Sequence, residues 1–262
     1  MNKYTEIFFD AMMNNRVRVF YQPILDAGTL DVVSAEALAR IEMPDGRLLK
    51  PDIFIPDLEE SCAISDLDWY VAEKACATLQ EISEVRGTDI RITFNFSQQH
   101  AYEWDAVERL VNLADKYHII RDLLEVEFTE TYSVDIPLLS STMESIRDED
   151  ISVAVDDFGK GANSLSFIEK VPFDTLKIDR SLIGSIEDEK RWIIVENIIK
   201  MAHSLDAITV AEGVEDVKQL VKLSGYGCDL LQGNYLSEPL SKGQFLSLVT
   251  DNVKNVENSF YS

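Results

Sequence analysis

Histidine is scarce in this chain. His100, His118 and His203 are the only three among 262 residues. None stands at metal-ligand spacing from another, which argues against a histidine-built zinc site. Cysteine is equally scarce and odd in number. Cys62, Cys76 and Cys228 show no ligand spacing, so they read as reduced thiols of a cytoplasmic protein rather than a disulfide framework. Positive charge is short as well: 24 basic residues face 47 acidic ones, a net charge of −23. Charge-driven binding to DNA or an anionic membrane is therefore not expected. An anionic substrate stays open only if metal ions and a few placed cations meet it locally. No apolar run is long enough to span a membrane. The opening Met1-Asn2-Lys3-Tyr4-Thr5-Glu6 has no basic region leading into an apolar stretch, so no signal peptide is expected. Tandem repeats, low-complexity tracts and Pro/Gly-rich linkers are missing too. The 46% apolar content is ample for a core, and the length fits one large domain or two small ones.

What the chain does have is a pair of adjacent acids, Asp156-Asp157, closing the apolar run Ile151-Ser152-Val153-Ala154-Val155. Two like charges at the end of a buried strand are costly unless something positive neutralises them. A divalent cation does so, and a carboxylate shared between two cations makes a two-metal site. With so little histidine, any such site must use carboxylate and amide oxygens, which favours Mg²⁺ or Mn²⁺.

Eight segments read as strands: 16–22, 32–38, 90–96, 123–128, 151–156, 175–178, 208–212 and 230–235. Helix-period stretches lie between them, at 68–82, 106–117, 136–146, 191–205, 217–223 and 245–253. Alternation of this kind predicts a mostly parallel sheet with helices outside it. Eight strands in one domain predict an α/β fold of the TIM-like (β/α)₈ barrel type. The first two strands are joined by only nine residues, Pro23 to Asp31. That is too short for a parallel crossover, so the first strand should run antiparallel. Alternation within strands separates Ile92, Phe94 and Phe96 from Arg91, Thr93, Asn95 and Ser97. The apolar faces should meet helices and the polar faces should line the barrel.

Catalytic residues of such barrels sit at the C-terminal ends of strands. Those ends carry Glu36, Asn95, Glu127, Asp156-Asp157, Lys177, Glu212 and Gln232. Five carboxylates, two amides and a lysine suit hard divalent cations and phosphoryl chemistry, with Lys177 placed to offset developing charge. Each residue alone has a plainer reading. One of the Asp156-Asp157 pair, but hardly both, could cap a helix; Asn95 could be a turn former, Lys177-x-Asp179 an internal salt bridge, and Gln232-Gly233 a turn.

In order along the chain stand Tyr21-Gln22-Pro23-Ile24, Glu36-Ala37-Leu38-x-Arg40, Pro51-x-x-Phe54-Ile55-Pro56, Asn95-x-Ser97, Glu127-x-Thr129-Glu130, Asp156-Asp157-Phe158-Gly159, Leu176-Lys177-Ile178-Asp179, Ala211-Glu212-Gly213-Val214-Glu215 and Gln232-Gly233. This ordered set resembles the EAL domain, the phosphodiesterase that opens cyclic di-GMP to linear pGpG. The resemblance implies a single domain over 1–262, with a motif-bearing core at about 16–250 and a flexible tail at about 253–262. It implies two divalent ions, Mg²⁺ or Mn²⁺. Glu36, Asn95, Glu127 and Asp156 would hold one; Asp156, Asp157 and Glu212 would hold the other. Glu212, Lys177 and Gln232 are implied as catalytic, and Glu130 as an anchor for the loop after Asp157. Gln22, Leu38, Arg40 and Asp179 are implied on the substrate side, Arg40 through phosphate oxygens. A homodimer, and sensor domains or partner proteins outside this chain, are implied as partners. The loop departs from the family's usual Asp-Asp-Phe-Gly-Thr-Gly-Tyr-Ser-Ser-Leu at Lys160, Ala162 and Asn163. That departure keeps a second expectation open: a cyclic di-GMP receptor of little or no activity that signals through a partner.

Overall fold

The computed structural model describes residues 2–85, 89–129, 135–160, 164–184 and 188–250. Apolar runs become strands and amphipathic runs become helices in the alternation expected. The strands are β1 (Val17–Asp26), β2 (Val32–Glu42), β3 (Leu48–Leu49), β4 (Arg91–Asn95), β5 (Leu124–Thr129), β6 (Ser152–Phe158), β7 (Thr175–Ile178), β8 (Ile208–Ala211), β9 (Leu230–Leu231) and β10 (Leu240–Ser241). The helices used below are α1 (Lys3–Met13), α2 (Pro51–Glu60), α3 (Ile64–Ser83), α4 (Ala106–Lys116), α5 (Ile136–Asp148), α6 (Ser164–Ile168), α7 (Arg180–Ile183), α8 (Glu189–Ser204) and α9 (Val217–Gly225). A further helix spans 242–250.

Strands β2, β4, β5, β6, β7, β8 and β9 pair in parallel, in that order. β1 pairs antiparallel with both β2 and β9 and closes an eight-strand barrel. The antiparallel first strand follows from the short connection between β1 and β2, as expected. β3 and β10 are short additions that the sequence pattern did not reveal.

Alternation decides which residues face the barrel axis. Register pairs Glu36 with Thr93, Asn95 with Glu127, and Lys177 with Val210. The outward residues Ile92, Phe94, Val126, Phe128, Val153, Val155, Leu176 and Ile178 are fully buried under helices. α3 supplies a matching stripe of Leu67, Val71, Ala72, Ala75, Leu79 and Ile82, at the helical spacing that keeps one face inward.

Two expectations need correction. The last barrel strand ends at Leu231, not near 235, because Gly233 turns the chain away. A Cβ there would lie 2.2 Å from the Val214 backbone nitrogen, so only glycine fits. β2 does not stop at Leu38. It runs on to Glu42 as a ribbon with β1 above the barrel rim. The helix α1, outside the motif-bearing core, packs on α2, and Phe8 and Ala11 are fully buried. The tail at about 253–262 lies outside the described residues.

Candidate active site

The C-terminal mouth of the barrel gathers the strand-end residues around one ammonium. Lys177 Nζ lies 2.8 Å from Glu127 Oε2 and 2.8 Å from Glu212 Oε1. Glu36 Oε2 and Asp156 Oδ1 each stand 3.4 Å from it. The lysine side chain is 1% exposed, so its charge persists only because these carboxylates replace water. Gln232 Nε2 donates to Glu36 Oε2 at 2.7 Å and to Gln22 Oε1 at 3.2 Å. Asn95 Nδ2 donates to Glu36 Oε1 at 3.1 Å. Glu36, Asn95, Glu127, Asp156, Lys177, Glu212, Gln232 and Gln22 are thus one connected cluster.

Adjacent residues on a regular strand point to opposite faces, so Asp156 and Asp157 should not share a site. A bulge resolves this. The pairing of β6 with β7 shifts register between Val155 and Phe158, and Asp157 adopts φ +57°. Among the described residues, Asp156, Asp157 and Glu212 then offer carboxylate oxygens within 4.8 Å of one another. Glu212 follows β8 and is held by its backbone N–H donating to Ile178 O at 3.1 Å. Gly213, next in sequence, has φ +66°, and a Cβ there would meet Arg180 Cβ at 2.4 Å.

The electrostatics follow from burial and crowding. Burial opposes the charge on Lys177, yet Asp156, Glu127, Glu212 and Glu36 together hold its pKa well above the usual lysine value. Burial, then Glu36 and Asp156, raises Glu127 well above the carboxylate range against the pull of Lys177. Glu212 is pushed up to about 8 by burial, with Asp156 and Glu36 adding to it against Lys177. Asp157 is raised by burial and by Asp156. Crowded carboxylates that resist ionisation are the signature of a site short of positive charge.

The donors are all oxygens, and Gln232 Oε1 is buried without a hydrogen-bond partner. Both features fit a hard divalent cation, as does the Asp156–Asp157–Glu212 group. Glu36 and Glu127 do not form such a group by themselves; they meet through Lys177.

The residues expected on the substrate side ring the same mouth. Arg40 lies two residues beyond Leu38 on the β1–β2 ribbon, its guanidinium over the Phe20 ring at 6.0 Å. Burial lowers its pKa, opposed by Glu36 and Asp52. Leu38, Pro51, Ile55, Asn95, Ser97 and Glu127 line a cavity of about 420 Å³ beside the cluster. That gives the Pro51-x-x-Phe54-Ile55-Pro56 run a place: Phe54 anchors α2 in the core while Pro51 and Ile55 face the cavity. Asp179 does not take the salt bridge that its spacing from Lys177 suggested. Its carboxylate accepts from Ser181 N at 2.9 Å and caps α7. Burial opposes ionisation of Asp179, but hydrogen bonds from Ser181 and Asp157 and the Lys160 charge lower its pKa. The cap reading of Asp156-Asp157 also falls, since both lie within β6. Glu130, Ala162 and Asn163 lie outside the described residues.

Two supporting groups escaped the sequence reading. Thr93 donates its hydroxyl to Glu127. Asp68, buried on the apolar stripe of α3, accepts from Ser97 N at 2.8 Å and stands 3.1 Å from His100 Nε2. It pins the turn after Asn95, and a lone acid at helical spacing among apolar residues was the signal available for it. His203 Nε2 meets Asp229 Oδ2 at 2.8 Å near the surface.

Comparison with known proteins agrees with this geometry. The family model described as EAL domain matches residues 6–239. The signaling protein YkoW of Bacillus subtilis is 34% identical over 92% of this chain and 30% of its own length. The cyclic di-GMP phosphodiesterase NbdA of Pseudomonas aeruginosa is 35% identical over 88% of this chain and 30% of its own length. The chain thus spans about 30% of these curated relatives. Among solved structures, the EAL enzyme Bd1971 in its cAMP- and cyclic-di-GMP-bound form superposes with a TM-score of 0.88 at 28% identity, covering 94% of this chain and 68% of that one. A closed barrel of this topology, an acidic mouth and a family match over most of the sequence lead to one conclusion: this chain belongs to the EAL domain family.

Proposed function

We propose that this chain is a single-domain, metal-dependent phosphodiesterase of the cytoplasm that hydrolyses cyclic di-GMP to linear 5′-pGpG. The observation that carries the reading is the imbalance at the mouth, where, among the described residues, the carboxylates of Glu36, Glu127, Asp156, Asp157 and Glu212 crowd together and the buried Lys177 ammonium meets four of them. Glu36, Asn95, Glu127 and Asp156 are assigned to one Mg²⁺ or Mn²⁺ ion, and Asp156, Asp157 and Glu212 to a second. Bound there, such ions activate a water and offset charge on the attacking and leaving oxygens of an in-line displacement.

The chain's own residues do the rest. Glu212 takes the proton of the attacking water as general base. The water oxygen bonds to phosphorus while the bond from phosphorus to the ribose 3′ oxygen breaks. That oxygen leaves on the opposite side and picks up a proton, so one ring bond is opened and the product is linear. Lys177 offsets the negative charge that gathers on the phosphoryl oxygens. Gln232 orients the water or the scissile phosphate. Gln22, Leu38, Arg40 and Asp179 hold the substrate, with Arg40 on phosphate, and Glu130 anchors the loop after β6. NbdA, a cyclic di-GMP phosphodiesterase by name, and the nucleotide in the Bd1971 structure support this substrate class. The reading includes a homodimer joined beside the loop after β6, where Leu165 on α6 stands exposed.

The test is chromatography of cyclic di-GMP incubated with the protein and Mg²⁺ or Mn²⁺. A pGpG peak that disappears with EDTA and in Glu36→Ala supports the reading. A second reading, a receptor that binds but does not cleave, draws on the altered loop, where Lys160 pairs with Asp157. Tight nucleotide binding with no product in either metal would replace the first reading by the second.

A further inference from the structure

The loop after β6 places a cation against one of the crowded carboxylates. Gly159 turns the chain at φ +96°, and Lys160 N donates to Asp157 O at 3.1 Å. The turn folds the Lys160 side chain back over its own strand end, with Nζ 2.7 Å from Asp157 Oδ2. The same Asp157 offers an oxygen within 4.8 Å of oxygens on Asp156 and Glu212. One carboxylate therefore has two claimants, a tethered ammonium and a divalent cation.

We propose that Lys160 is a built-in competitor for the divalent cation held by Asp156, Asp157 and Glu212. The proposal rests on the reading of the mouth as a metal site. Lys160 must give up Asp157 before the ion gains that ligand, and its charge repels the incoming ion while it stays. Lys177 cannot play this part. It is 1% exposed and held among four carboxylates, so it has no path away. The Lys160 side chain is 62% exposed and turns out into water when displaced. Competition of this kind is graded. An exposed ion pair is weak, so it lowers affinity modestly and leaves occupancy dependent on the divalent-ion concentration.

The experiment is a Mn²⁺ titration read by the electron paramagnetic resonance of free Mn²⁺, on wild type, Lys160→Met, Lys160→Arg and Asp157→Asn. Lys160→Met should bind the weaker ion about two- to fivefold more tightly than wild type, while Lys160→Arg stays near wild type. Asp157→Asn should weaken that ion, and adding Lys160→Met to it should then change nothing. If Asp157→Asn weakens binding and Lys160→Met leaves it unchanged, Lys160 is a bystander and the metal site stands without it. If neither wild type nor Lys160→Met binds Mn²⁺, the metal reading fails and this inference falls with it.

Discussion

The two ends of the barrel interior treat buried carboxylates differently. Toward the N-terminal end, Glu125 is matched: Thr175 Oγ1 donates to it at 2.6 Å and Arg91 Nη1 lies 3.6 Å away. At the mouth, two registers along the same strand, Glu127 shares Lys177 with Glu36, Asp156 and Glu212. Burial raises the pKa of both Glu125 and Glu127, but Glu36 and Asp156 add to it only at the mouth. A matched acid is part of the scaffold. An acid in excess waits for a cation from outside.

The largest expected effect comes from removing the buried cation at the centre of the mouth. Lys177→Met leaves four neighbours without their shared partner, and breaking a buried ion cluster this way costs about 3–5 kcal/mol. Thermal melting in EDTA should fall accordingly, and added Mn²⁺ should recover part of the loss. A melting temperature equal to wild type in EDTA would mean that the carboxylates are already neutral without Lys177, and the contrast between the two ends would dissolve.

The pH dependence of stability sharpens the contrast next. Glu212 titrates at about 8 in the folded chain against an ordinary value of 4.5. Between those two values the folded state binds more protons than the unfolded state, so stability falls as pH rises through that window. Glu127 and Asp157, also raised, act in the same direction. Lys177, raised above 10.5, contributes stability that is lost only at higher pH, outside this window. The metal-free protein should therefore melt at lower temperature at pH 8 than at pH 5. Glu212→Gln should flatten the slope and cut turnover by about 10²–10⁴-fold. A flat wild-type profile would show that the mouth carries no crowded acid.

Much of this layout was legible in the sequence, and the parts that were not share a cause. Alternating polarity in Arg91–Asn95 and Leu124–Thr129 marks which residues face inward, because a strand has no other way to separate its faces. The short link between β1 and β2 forces the antiparallel pair. The bulge at Asp157 was hidden, since a single residue at φ +57° leaves no compositional mark when the residue is not glycine. So was the run of β2 past Leu38, which depends on where β4 stops pairing with it. The role of Asp68 depended on a contact 29 residues along the chain, and local pattern does not carry tertiary pairing. Roles such as that of Lys177 rested on the ordered motif set, because lysine-x-aspartate alone equally suits the salt bridge that the structure did not form.

The smallest effect should come from Glu125→Gln, set against the same change at the mouth. Glu125→Gln keeps an oxygen for the Thr175 hydroxyl and loses only the pairing with Arg91, whose side chain is 24% exposed and reaches Asp122 at 3.6 Å. Stability should change by less than about 1 kcal/mol, because the charge lost is partly solvated on its partner's side. Turnover should stay within about twofold of wild type, since no step of the transition state uses this acid. Glu127→Gln likewise keeps an oxygen for the Thr93 hydroxyl and for Lys177. It should nevertheless abolish turnover and weaken Mn²⁺ binding. Melting curves together with single-turnover hydrolysis on the two variants make the comparison directly. Equal loss of activity at both ends would mean that the interior acts as one electrostatic unit, and the division between a matched scaffold and an acid-rich mouth would have to be given up.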